Sequence, residues 1–178
     1  MTHSRRALTL TALIAATLGV ALTGCSAGAQ QAPDDALAIG TGVAVEVGTG
    51  VEMSFSIDDV REGKLSDLAE MGLQSTPSDD GKVPYFVTYS VTLTDGEIAD
   101  ADRSALPVPK TDEWKLTGKG TYRPIQVIGQ FDCTPDGNAT AGVAPDAPLV
   151  ACQAFLGDAD ALPTAIEVKD LGTWATKD

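Results

Sequence analysis

Apolar side chains recur at every second residue over much of this chain. Val43, Val45 and Val47 alternate, and Gly48-Thr49-Gly50 then turns the backbone. Val51, Met53, Phe55 and Ile57 alternate again, with Glu52, Ser54 and Ser56 between them. A period of two puts successive side chains on opposite faces, so both runs predict half-buried strands. Asp58-Asp59 breaks the second run. Residues 84–93 carry the clearest signal: Tyr85, Val87, Tyr89, Val91 and Leu93 on one face, Thr88, Ser90 and Thr92 on the other. Pro84 suits a strand's first residue, where a missing amide donor does least harm. Shorter runs predict strands at 113–116 around Trp114, at 125–131, at 149–156 and at 164–169. Only 64–72 changes period: Leu65, Leu68, Ala69 and Gly72 follow helical spacing, and Gly72 is a suitable stop. Residues 74–82, 94–111 and 134–148 are rich in Pro, Gly, Ala or acids and predict connections. About seven strands with one short helix predict an all-β, antiparallel β-sandwich, without internal repeats.

The first 24 residues follow another pattern. Arg5 and Arg6 precede a mainly apolar run, Ala7 to Leu22, of about 16 residues that includes Thr9, Thr11, Thr17 and Gly19. A basic start, a short apolar stretch and small residues before a cleavage point predict an export signal. The run falls short of the ~20 residues that span a hydrocarbon core. Leu22-Thr23-Gly24-Cys25 resembles the lipobox of bacterial lipoproteins. That resemblance implies a diacylglyceryl group on the Cys25 thiol, cleavage before Cys25, and acylation of the new amino terminus. The expected organisation is a signal at 1–24, a flexible acylated spacer at 25–42 and a folded domain at 43–178. The expected location is the extracytoplasmic face of the cell membrane, with lipid on Cys25 as the membrane contact.

Charge and residue usage narrow the functions. Twelve Lys and Arg stand against 25 Asp and Glu, a net −13. Loss of Arg5 and Arg6 with the signal leaves ten basic residues and a net −15. Such a surface repels nucleic acid, whose phosphates need cationic counter-charge. It also repels anionic head groups, which leaves the acyl chains to hold the membrane. His3 is the one histidine, and it lies in the signal. The exported part therefore lacks the imidazole that Ser-His-Asp and Cys-His catalysis and most zinc sites use. Once Cys25 is lipidated, Cys133 and Cys152 remain, and an even pair in an oxidising compartment predicts a disulfide. Closing a loop of about 20 residues contributes ~3 kcal/mol.

The order of these features resembles a known group. Val51–Ile57 is followed by Asp58-Asp59-Val60-Arg61-Glu62-Gly63, then Leu65-Ser66-Asp67-Leu68, then Val83-Pro84-Tyr85-Phe86-Val87-Thr88. The Cys133 and Cys152 pair, Phe155 and a last Val-bearing strand close the series. This is similar to small actinobacterial surface lipoproteins with an immunoglobulin-like domain of unknown function, in the style of the mycobacterial immunoprotective extracellular antigens. The resemblance implies an immunoglobulin-like sandwich over roughly 43–170 and no catalytic set. Trp114 precedes Cys133 and Trp174 follows Cys152, so the tryptophan that antibody domains carry between paired cysteines is absent.

Three functional readings follow. The first is a non-enzymatic binding module that contacts an envelope protein or cell-wall component through residues 95–110 and 134–148, since loops on a rigid scaffold carry recognition. The second is a carrier holding a lipid or small solute between its sheets or under 65–71. The third is a histidine-free hydrolase built on an Asp/Glu pair. No cofactor is expected. Asp95, Glu97, Asp100 and Asp102, with Asp158 and Asp160, form the one acidic grouping to weigh for calcium, but turn acids serve backbone capping and no EF-hand spacing is present. Tyr85, Phe86, Tyr89, Trp114, Tyr122, Phe131 and Phe155 are expected in the core or in cross-strand pairs. Trp174, near the chain end after Gly172, is expected to be exposed. Asn138-Ala139-Thr140 matches a glycosylation acceptor and is read as incidental.

Overall fold

A computed structural model describes residues 31–70, 79–99, 106–126 and 143–176. Among them lie β1 (Leu37–Ala38), β2 (Gly42–Glu46), β3 (Glu52–Glu62), α1 (Leu65–Glu70), β4 (Lys82–Asp95), β5 (Trp114–Gly118), β6 (Tyr122–Pro124), β7 (Leu149–Asp158), β8 (Pro163–Val168) and β9 (Gly172–Ala175). Two sheets form, in the orders β2-β3-β4-β7-β6 and β1-β9-β8-β5. All pairings are antiparallel except β1 with β9. The fold is thus a mostly β, two-sheet sandwich with a short helix. The described residues form nine strands divided five and four, where the immunoglobulin arrangement has seven divided four and three.

Alternation explains the two longest strands. Met53, Phe55 and Ile57 of β3 face Leu93, Val91 and Tyr89 of β4 across the inner side, and all six are buried. The Asp58-Asp59 pair does not end β3. The register shifts between Ile57 and Asp59, a bulge that re-phases the strand and carries it to Glu62. Asp58, the extra residue, accepts a hydrogen bond from Ser56 at 2.7 Å, while Ser90 lies 3.3 Å away.

The chain crosses between sheets before β2. Leu37-Ala38, inside the stretch expected as spacer, forms β1 against β9. Gly40, at φ +84°, turns the backbone, and its N–H donates to Ile57 at 2.7 Å. Placing β9 between β1 and β8 also corrects the expectation for Trp174, which is fully buried. Its indole N–H donates to the Thr41 carbonyl at 2.9 Å. Phe55 stands 5.6 Å from Trp174 and 5.4 Å from Tyr89, and Tyr89 stands 5.3 Å from Trp114. These four rings fill the space between the sheets, and each such pair adds ~0.5–1.5 kcal/mol beyond its buried area.

A second, smaller core lies on the outer face of the five-stranded sheet. Leu68 of α1 covers Phe86, Ala154 and Leu156, with Leu65, Ile125 and Cys152 at its margin. The helix therefore forms where expected, and its buried position is Leu68 while Ala69 is exposed. β6 ends just before the strand expected over 125–131; Ile125 and Gln126 lie outside any strand, and residues 127–131 are outside the described part.

Candidate functional site

Two depressions mark the described surface. The wider, of about 660 Å³, is lined by Lys110, Thr111, Asp112, Pro124 and Gln126. A single 3-10 turn, Thr111–Glu113, sets its wall. That turn is held at both ends: the Lys110 amide donates to the Glu113 carboxylate at 2.7 Å, and the Glu113 amide donates to the Lys110 carbonyl at 2.9 Å. The arrangement offers one cation, one anion, a hydroxyl and a carboxamide to a polar ligand. The second depression is a cleft of about 260 Å³ between the sheets, lined by Ile39, Asp59, Val60, Leu162, Pro163 and Thr176. Leu162 is 59% exposed at its lip.

A tyrosine-rich corner closes one end of the sandwich. The Tyr85 hydroxyl lies 2.7 Å from the Asp158 carbonyl and 3.2 Å from the Glu62 carboxylate, so one proton serves two acceptors. Burial, and after it the Glu62 charge, pushes the Tyr85 phenol up to about 12. Burial alone carries Tyr89 to about 12. Tyr122 stacks edge-on against Tyr85 at 5.6 Å and donates to the Ala161 carbonyl. Its phenol is raised as well, by burial first. Asp158 pairs with Lys82 and accepts the Thr121 amide at 2.9 Å. Those two contacts hold its carboxyl below the usual range. Phenols raised in this way stay protonated at neutral pH and act as donors, not as bases.

The expected site residues fall unevenly. Cys25 and Cys133 lie outside the described residues. Cys152 sits half-buried on β7 opposite Thr88 and is disulfide-bonded. Of the acidic grouping, Asp100 and Asp102 are outside, Asp95 and Glu97 are exposed, and Asp158 is taken by Lys82. No set of three or more potential metal ligands occurs among the described residues. Phe131 and Asn138 are outside, while Tyr85, Phe86, Tyr89, Trp114 and Phe155 are buried as expected. Trp114 carries a feature the sequence did not signal: its indole N–H is buried without a hydrogen-bond partner. The Lys110–Asp112 wall went unmarked because a polar three-residue turn has no periodicity. No helix of the described residues is long and apolar enough to cross a membrane. No family model, curated protein or solved structure matches this chain.

Proposed function

We propose that this protein is a lipid-anchored, extracytoplasmic binding module of the cell envelope, without catalytic turnover. Export and the lipid on Cys25 rest on the Arg5-Arg6 start and the Leu22-Thr23-Gly24-Cys25 motif. The observation that carries the binding-module reading is the ring cluster of Phe55, Tyr89, Trp114 and Trp174, which occupies the inter-sheet space a carried lipid would need. The seat beneath α1 is likewise filled by Leu68 on Phe86. The inter-sheet cleft, at about 260 Å³, is smaller than the roughly 300–1,000 Å³ of small-molecule pockets. Recognition is then a matter of surface. The depression beside Lys110 lies at the end of the 95–110 connection, in keeping with contacts made by that loop. The partner is an envelope protein or cell-wall component. Within the reading, the immunoglobulin-like family and the Cys133–Cys152 bridge belong together, and the bonded state of Cys152 supports the bridge.

Two measurements test it. Fatty-acid labelling of wild type and Cys25→Ser should mark only the wild type; equal labelling removes the anchor. Organic extraction of the purified chain followed by mass spectrometry should yield no stoichiometric free lipid. One lipid per chain, beyond the covalent anchor, makes it a carrier.

A further inference from the structure

Every sandwich with open sheets has edge strands, and unguarded ones add further strands. Among the described residues four edges are present: β2 and β6 on one sheet, β1 and β5 on the other. Three carry protection. β1 has two residues. β6 has three and ends on Pro124, which has no amide donor. β5 presents exposed Lys115, and its register breaks between Thr117 and Gly118. β2 has none of these devices. It reads Gly-Val-Ala-Val-Glu, with no proline, no lysine and an unbroken register against β3.

The direction of its free backbone groups follows from one hydrogen bond. The Val47 amide donates to the Val51 carbonyl at 2.9 Å, on the same register as the β2–β3 pairs. Hydrogen-bonded pairs alternate in an antiparallel ladder. Val45 and Val43 therefore turn their N–H and C=O toward β3, and Gly42, Ala44 and Glu46 turn theirs outward. Among the described residues β2 pairs with β3 alone. The outward-bonding residues carry no side chain, a methyl group and one carboxylate, so little obstructs an incoming strand. On the inner face, Val43 and Val45 are only half-buried, which leaves room for apolar neighbours.

Charge selects the occupant. Glu46 stands opposite Glu52, and Glu52 stands opposite Asp95. Three exposed carboxylates thus form one cross-strand row ending at the β2 edge. Like charges directly opposite are unfavourable, and a cation at the next place in the row relieves them. A second copy brings the same row and, after loss of the signal, its own net −15, so self-pairing adds repulsion.

We propose that the β2 edge is a strand-addition site for an extended cationic peptide segment of a partner protein, antiparallel to β2, with Lys or Arg opposite Glu46. This deepens the binding-module reading and rests on it for its biological use. The probe is a disulfide-closed hairpin peptide whose outer strand reads Lys-Val-Thr-Val-Thr. Its lysine falls opposite Glu46, and its valines fall beside Val45 and Val43. Hydrogen exchange of the 42–46 segment is measured on the full chain in detergent micelles. Saturating peptide should slow that exchange at least about fivefold. A twin peptide with Glu for Lys should bind about two- to thirtyfold more weakly, from a charge-pair energy of ~0.2–1 kcal/mol reversed in sign. Glu46→Lys should invert that preference. Ala44→Pro removes an outward amide and should abolish protection, while leaving the β2–β3 ladder intact. No protection at saturation, or equal affinity of the two peptides when protection is titrated against peptide concentration, overturns the proposal. So does a dimer in sedimentation whose 42–46 amides are already protected without peptide, which assigns the edge to a second copy. The labelling and lipid-extraction results stand apart from this one, so failure here leaves the anchored-module reading to its own tests.

Discussion

Trp114 and Trp174 make a controlled comparison. Both are buried in the same ring cluster, so Trp→Phe removes the same atoms from similar surroundings. They differ at one atom. The Trp174 indole N–H donates to the Thr41 carbonyl at 2.9 Å, whereas the Trp114 N–H has no partner. Losing a satisfied hydrogen bond costs about 0.5–1.5 kcal/mol, and the Thr41 backbone is exposed enough for water to replace the donor. Removing a buried unsatisfied N–H returns about 1–3 kcal/mol. Trp174→Phe should therefore be the more destabilising by ~2–4 kcal/mol, although its ring lies near the chain end. Urea unfolding followed by far-UV circular dichroism, which does not depend on the removed fluorophore, gives both values. For a domain of this size the gap corresponds to about 5–15 °C in Tm. Equal losses, or a larger loss at Trp114, refute the assignment of the two nitrogens.

Gly157→Ala should destabilise by about 1–3 kcal/mol in the same assay, because its Cβ meets the Tyr85 and Tyr122 rings at 2.8 Å. Spectrophotometric titration should show Tyr85 and Tyr89 still protonated at pH 10 while the fold persists. Folded values near 12 for Tyr85 and Tyr89 lie above the unfolded 10, so their stabilisation is complete below pH 10 and is lost as pH rises through 12. A full tyrosinate step by pH 10.5 with native circular dichroism contradicts the buried corner. Cys133→Ser and Cys152→Ser should each cost about 3 kcal/mol, with linked peptides in a non-reduced digest of wild type; two free thiols in the wild type refute the bridge.

What the sequence displayed, and what it hid, follows from parity. β4 was legible because residues 84–93 keep one phase, with Tyr85, Val87, Tyr89, Val91 and Leu93 all inward. β3 was legible only as far as Ile57. The bulge at Asp58 shifts the phase, so Val60 and Glu62 read as unpatterned although they pair with Val87 and Tyr85. β1 and β9 have two and four residues, too short for any period to register. Trp174 was misplaced for the same reason: its burial depends on β1 closing over β9, a contact more than a hundred residues apart in sequence. The depression at Lys110 and the unguarded β2 edge are legible only after folding, since both depend on which strands lack a neighbour.

Electrostatics at the β2 edge act at contact and not at a distance. With lipid on Cys25, twelve residues lead to Leu37, and at about 3.4 Å each they reach at most ~40 Å. On the proposed anchoring the edge would work in the membrane-proximal layer, where anionic head groups repel an acidic chain. Screening there has a length of about 8 Å at 0.15 M salt, so distant net charge steers little, and added salt acts on the exposed contact of Glu46 with an incoming lysine. A neutral twin of the probe, with Thr in place of Lys, isolates the two contributions. Raising salt from roughly 0.05 to 0.5 M should weaken the lysine strand severalfold and leave the neutral strand nearly unchanged, because its affinity comes from backbone pairing and the two valines. The two affinities should then converge from above. If the lysine strand binds no more tightly than the neutral one at low salt, or keeps its advantage unchanged at high salt, the carboxylate row at Glu46, Glu52 and Asp95 does not select the partner.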